Sequence, residues 1–385
     1  MSTLPARADI VIIGGGVMGA STAYHLAEMG AKNIVLIEKE EFFGLGATGR
    51  CAGGIRYQFA TEINISLSKA SLPMLENFKE EFGQDIDLRL CGYLFLLSNE
   101  KDIQQFERNV ALQHKMGIAT EWLSGDEIRA RLPQMRLDDI IKGTFYGKDG
   151  LCDPNSVVMG YIKAAKKLGV QCLSQIEVTG IEQEHQKVSA ILTKDGKIST
   201  RIVVNAAGPW AELIGQMLHI EIPIKPVRRQ MMTTSSLPDI PQDFPMVIDF
   251  EKSLYFHPEG DGLLTGMSNP NQKPGYDQSV DEDWELINLE HSIARMPMLK
   301  NAALQSHWAG LYEVTPDAHP IFGKTPIDGF YLVGGFSGHG FMHGPISGKL
   351  MAEIILEGQS KSVDVSLIDL ARFDEMRPIR EYNVI

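Results

Sequence analysis

Cysteine is scarce in this chain: Cys51, Cys91, Cys152 and Cys172 are the only four in 385 residues, with neither CxxC spacing nor a histidine cluster beside them. That pattern argues against a zinc site or a disulfide framework and leaves reduced thiols that fill space. Basic residues are also in deficit, 36 lysines and arginines against 49 acids, for a net charge of -13. Without a basic block, nucleic acid and anionic membrane surfaces are poor partners. No apolar run approaches the roughly 20 residues of a membrane span. The start, MSTLPARA, lacks the basic, apolar and small-residue succession of an export signal. The expectation is a cytoplasmic protein with no bound metal and no membrane insertion. With 44% hydrophobic residues the chain can bury a large core and divide into two domains.

What is present begins with ADIVIIGGGVMGASTAYHLAEMGAKNIVLIEKE. Asp9 to Ile13 is a short β-branched run that reads as a buried parallel strand, and it enters Gly14, Gly16 and Gly19 directly. Ala20, Ala23, Leu26 and Ala27 recur at helical spacing until Gly30, and Ile34 to Ile37 forms a second strand ending in Glu38. Gly14 permits the tight turn, Gly16 lets backbone approach a pyrophosphate, and Gly19 lets helix pack on strand. The helix N-terminus then faces the phosphates, and Glu38 is placed to accept hydrogen bonds from a ribose. The motif points to a dinucleotide without separating NAD from FAD. FFGLGATGRCAGGIRYQF, Phe42 to Phe59, is a second glycine-rich loop carrying Arg50 and Arg56, which suits an extended cofactor such as FAD.

Further along, Leu67 to Phe82 has helical spacing, Cys91 to Ser98 reads as a strand, and Asp102 to Leu132 reads as two helices. DPNSVVMGYIKAAKKLGV places Asp153 as N-cap and Pro154 at the first helical position. IEVTGIE and Ile202 to Asn205 are strands, the latter closing in Ala206, Ala207 and Gly208. MVIDF, LYFHPEGDGLLTGMS and the run around HWAGLY have the β-rich, glycine-turned character of a mixed or antiparallel sheet. The fold class expected is α/β, a Rossmann-type FAD-binding domain of glutathione-reductase type with an α+β substrate domain. The expected division assigns 1–86, 145–225 and 322–385 to the first and 87–144 and 226–321 to the second.

Gly334 to Pro345, GGFSGHGFMHGP, follows a buried strand, Gly329 to Gly335, and precedes a helix expected over Ile346 to Leu356. Strand, glycine turn and helix N-terminus again mean close backbone approach, with N–H groups aimed at an electron-rich ring edge. That favours cofactor docking for His339 and His343, with proton transfer as the alternative.

Together, GGGVMG with Glu38, ATGRCAGGIR, VVNAAGPWA, WAGLYEVTPDAHPIFG and GFSGHGFMHGP resemble the FAD-dependent amino acid and amine oxidoreductases of the D-amino acid oxidase group. Within that group, GRCAGGIRYQF, CGYLFLL and GFSGHGFM resemble the β subunit of archaeal L-proline dehydrogenase and of sarcosine oxidase. The resemblance spans nearly the whole chain and implies FAD contacts. Gly14, Gly16 and Gly19 would hold the pyrophosphate, Glu38 the ribose, and Val178 the adenine; Ala207 and Gly208 would line the dinucleotide. Thr48, Gly49 and Arg50 would run beside diphosphate and ring, and Gly338, His339, Gly340, Phe341 and Met342 would surround the pyrimidine edge. The same motifs add Val17, Met18, Lys39, Trp210 and Gly310 to the cofactor-binding set.

Departures from the family pattern matter too. Gly310 stands where monomeric sarcosine oxidases carry the cysteine that binds flavin, which implies non-covalent FAD; Tyr312 stands where glycine oxidases carry a carboxylate-binding arginine. Leu264 and Met342 match positions of oxygen-activating lysines, which implies an electron acceptor other than oxygen. The expected function is oxidation of the C–N bond of a secondary amino acid, L-proline or sarcosine type, by hydride transfer to flavin N5, in one subunit of a hetero-oligomer. An FMN shared at a subunit interface stays open. Arg56 is the expected carboxylate partner, or else a salt-bridge or second-cofactor residue, and Tyr255, His257 and Tyr312 line the pocket or, for the first two, a plain strand surface. The alternatives are an oxygen-using glycine or amino acid oxidase and a non-catalytic flavoprotein assembly factor.

Overall fold

The computed structural model describes residues 4–241 and 243–384. A six-stranded sheet runs in the order Ile321–Lys324, Phe330–Gly334, Ile202–Asn205, Ile10–Ile13, Ile34–Ile37, Gln171–Leu173. Its pairings are parallel except at the edge, where Ile321–Lys324 runs antiparallel to Phe330–Gly334. The strand sequences IVII and IVLI are apolar at every position because both faces are covered. Ile10, Ile12 and Leu36 pack under the helices Val17–Glu28, Pro154–Lys167 and Gly340–Glu357, whereas Val11, Ile13, Val35 and Ile37 pack on the antiparallel meander of Val178–Glu184, Lys187–Thr193 and Gly196–Ser199.

A second, eight-stranded sheet has the order Leu304–Val314, Lys225–Thr234, Gly262–Met267, Leu254–Glu259, Met246–Asp249, Tyr93–Leu97, Lys142–Tyr146, Glu121–Ser124. It is antiparallel except between Met246–Asp249 and Tyr93–Leu97. Alternation sorts its side chains: Leu94, Leu96, Val247, Leu254 and Phe256 fill one core, and Tyr93, Met231, Met246, Tyr255 and Leu264 belong to the opposite face. The mixed sheet and the doubly covered parallel sheet are as expected.

Three local expectations need correction. The last helix begins at Gly340, inside the glycine motif, rather than at Ile346. Pro345 and three glycines disguise its start, and Ser71 and Ser21 hydroxyls support it by donating to the carbonyls of Met342 (2.7 Å) and Pro345 (2.9 Å). The stretch read as two helices, 102–132, contains helices Glu100–Lys115 and Gly125–Arg131 with the edge strand Glu121–Ser124 between them. Only Trp122 and Leu123 of that strand are partly covered, too few for a visible alternation. Leu67 to Phe82 is two helices, Glu62–Glu76 and Phe78–Phe82, broken at Asn77.

Candidate cofactor and substrate site

A long cleft lined by residues of both sheets runs between them. At one end lie the first glycine turn and Glu38; at the other lie Tyr93, Tyr255 and Tyr312. The turn is built for backbone proximity. Gly14 has φ +109°, and Gly15 N donates to Glu38 Oε2 at 2.6 Å, while Glu40 N donates to Glu38 Oε1 at 2.9 Å. These two bonds orient the carboxylate and leave lone pairs for a diol. The second loop is clamped over the helix N-terminus, because Thr48 Oγ1 accepts from Val17 N (3.2 Å) and Gly44 N donates to Gly15 O (3.0 Å).

Of the expected cofactor residues, Gly14, Gly16, Val17, Met18, Glu38, Lys39, Thr48, Arg50, Val178, Ala207, Gly208, Trp210, Gly310 and Gly338 to Met342 all line this cleft. Gly19 and Gly49 do not line it. Each is a packing glycine: a β-carbon would lie 1.8 Å from Gly14 O in the first case and 2.4 Å from Gly44 O in the second. Gly338, with φ +102°, leaves no room for a side chain because Tyr312 is already there.

Arg56, Tyr255 and Tyr312 line the cleft, but His257 does not, which corrects the pocket-lining expectation. It shares a strand face with Tyr255, yet a step of two residues carries it about 6.6 Å along the strand. There it is buried, with Nδ1 2.9 Å from Pro258 O, and burial pulls its pKa down to about 4. His339 reaches the cleft wall wedged between Phe59 and Phe336, its Nδ1 3.2 Å from His343 Nδ1. Burial pushes the pKa of His339 down to about 3 and that of His343 well below the usual range, so both rings are neutral near pH 7.

Arg56 is buried and donates to the carbonyls of Gln58 and Asn383, with its guanidinium carbon 3.9 Å from the Phe59 ring centre. Asn383 belongs to a carboxy-terminal segment seated by Glu381, which accepts from Ala60 N, Thr61 Oγ1 and Asn64 Nδ2. Beneath the second loop, Asp149 accepts from Tyr57 N (2.6 Å) and Gln58 Nε2 (2.9 Å).

Among the cleft residues that escaped the sequence reading are Tyr93, Arg229 and Glu313. Arg229 carried a signal, since Val227, Arg229, Met231 and Thr233 alternate along one strand, but a single cation in an apolar stripe does not announce its partner. Glu313 is buried, with one carboxylate oxygen unpartnered and the other accepting from Phe336 N at 3.3 Å. Burial raises its pKa to about 7.

These residues fit an FAD. The oriented Glu38 carboxylate, the turn that a β-carbon would fill and the helix N-termini at Val17 and Gly340 suit ribose and pyrophosphate. The long cleft beyond them suits the ring system.

The family model for FAD dependent oxidoreductases (DAO) matches residues 9–354. The mitochondrial sarcosine dehydrogenase of Mus musculus is 31% identical over 401 residues, covering 98% of this chain, and the chain spans 43% of that protein's length. Among solved structures, L-proline dehydrogenase from P. horikoshii superposes with a TM-score of 0.91 at 33% identity, covering 98% of this chain and 100% of the other. Glycine oxidase from Bacillus cereus gives 0.80 at 27% identity, with coverages of 92% and 96%. Among the described residues no helix is long and apolar enough to cross a membrane. The chain belongs to the DAO family of FAD dependent oxidoreductases.

Proposed function

We propose that this protein oxidises the CH–NH bond of a small secondary amino acid of the L-proline or sarcosine type and passes the electrons to an acceptor other than oxygen. The observation that carries the reading is a cleft that continues from the cofactor cradle into a chamber holding two arginines, Arg56 and Arg229, and three tyrosines, Tyr93, Tyr255 and Tyr312. The likeness to L-proline dehydrogenase over the whole chain supports it.

Bound FAD supplies the hydride acceptor, at flavin N5. The chain supplies placement and electrostatics. Two guanidiniums attract a carboxylate and disfavour an ammonium, so they select the neutral amine, the form able to release hydride. The phenols of Tyr93, Tyr255 and Tyr312 stay protonated, since burial raises all three pKa values, and they serve as donors rather than bases. His339 and His343, neutral and wedged among aromatic rings, shape the wall.

The FAD is proposed to be held non-covalently. Gly310 offers no thiol, and a β-carbon there would come within 2.9 Å of Arg50 Cβ. Leu264, in the apolar core, and Met342, on the cleft wall, offer no cation for oxygen activation, which supports the dehydrogenase over the oxidase. The sequence resemblance to β subunits supports a hetero-oligomeric assembly, with FMN at a subunit interface as the second flavin to assay. The test is the visible spectrum of the oxygen-free holoprotein during addition of L-proline and then sarcosine. Bleaching by one of them, reversed by an artificial acceptor and only slowly by air, is expected; a flavin that stays oxidised with both overturns the assignment.

A further inference from the structure

We infer that Arg229, rather than Arg56, is the residue that receives the carboxylate of the substrate, an assignment that rests on the amino acid reading above. Both guanidiniums line the chamber and neither forms a salt bridge among the described residues. Their surroundings differ in two ways.

The first is hydrogen bonding. Arg56 has Nη1 and Nη2 both committed, to the carbonyls of Gln58 and Asn383, and its guanidinium is held against Phe59. Arg229 makes one bond, from Nη1 to the carbonyl of its neighbour Arg228 at 3.0 Å. Among the described residues its Nε is buried without an acceptor, and Nη2 has none either. A guanidinium carries five N–H donors in a planar fork, so most of those of Arg229 await a partner.

The second is charge. Arg56 has Tyr93, the carboxyl groups of Glu381 and Asp149, and Tyr312 around it, whereas the groups around Arg229 are the uncharged phenols of Tyr312 and Tyr255, with no carboxylate among them. Partial burial of a cation without a carboxylate is unfavourable unless an anion completes the site. The strand places this cation well: Arg229 pairs in register with Gly310, and its guanidinium carbon sits 5.2 Å from the ring centre of Tyr312. This cation–ring contact uses none of the guanidinium's N–H donors, so those without an acceptor remain for a carboxylate. Tyr312 and Tyr255, on either side, complete a socket for one carboxylate.

The test uses the holoprotein and a probe that needs no turnover. Tetrahydro-2-furoate, a carboxylate with no amine to oxidise, is titrated while the flavin absorption band is followed, alongside tetrahydrofuran, which lacks the carboxylate. Arg229→Gln is expected to weaken tetrahydro-2-furoate binding on the order of 100-fold, the loss of a charge-assisted pair, with bound FAD unchanged. Arg229→Lys, which keeps the charge but not the fork, is expected to fall between, about 10-fold weaker. Wild-type affinity in either variant overturns the assignment, as does a wild-type protein that tetrahydro-2-furoate does not perturb. If Arg229→Gln fails to retain FAD, the lysine variant decides. Failure of the amino acid reading is seen separately: L-proline and sarcosine then leave the wild-type flavin oxidised while the carboxylate probe still binds through Arg229.

Discussion

Gly19 lies so close to Gly14 that a β-carbon on Gly19 would come 1.8 Å from the Gly14 carbonyl oxygen. The clash is with backbone, which cannot swing aside as a side chain tip can. Gly19→Ala must therefore push the helix Val17–Glu28 off the first strand and spoil the turn that Gly15 and Glu38 share. The expected outcome is destabilisation at the upper end of roughly 1–3 kcal/mol, with FAD lost on gel filtration. Thermal unfolding and the flavin-to-protein absorbance ratio check it; a variant that keeps both wild-type values contradicts the packing role.

Arg372 and Asp317 form a bidentate pair in the core, with Nε to Oδ2 at 2.8 Å and Nη2 to Oδ1 at 3.0 Å. Both side chains are almost completely buried, and Asp317 also accepts from Ile379 N in the carboxy-terminal segment that leads to Asn383. Arg372→Met leaves a buried carboxylate without its cation and is expected to cost about 3–5 kcal/mol. The urea midpoint measures this. A shift below about 1 kcal/mol would show that water or a rearranged tail replaces the arginine.

Burial pushes the pKa of Asp149 up to about 7, against the opposing pull of Gln58 and Tyr57 N. Folding therefore favours the protonated acid, and the native state binds more protons than the unfolded chain between the usual carboxylate value and about pH 7. The contribution of this group to stability is then highest below that window and falls as pH rises through it, the reverse of a salt-bridged aspartate. Glu313 acts in the same direction. The buried neutral His257, His339 and His343 act in the opposite direction below the ordinary histidine value, so urea unfolding at pH 5, 6, 7 and 8 isolates the Asp149 share as a difference: the midpoint of Asp149→Asn relative to that of wild type should rise as pH increases toward about 7. A difference that stays constant with pH would remove Asp149 as a source of the pH dependence.

Much of the cofactor cradle was legible because it is local. Strand, glycines, helix and Glu38 occupy one continuous stretch, and each residue type answers a backbone requirement set by its neighbours in sequence. The same holds for Asp153, which caps its helix by accepting from Asn155 N and Ser156 N as its place before Pro154 implies. The helix at Gly340 was hidden because glycine and proline oppose helix locally, and the hydroxyls of Ser71 and Ser21 that support its first turns come from far away in the chain.

The sequence by itself determined the α/β class, the dinucleotide turn and the apolar strands, since these depend on periodicity and on steric limits at single glycines. Only the tertiary structure decided which cations remain unpaired. Arg56 meets Asn383 across 327 positions, while Arg229 meets Tyr312 through strand pairing, and both depend on distant segments converging. Charge acts over a few ångströms regardless of distance along the chain. The partner of a buried charge is therefore a property of the folded arrangement.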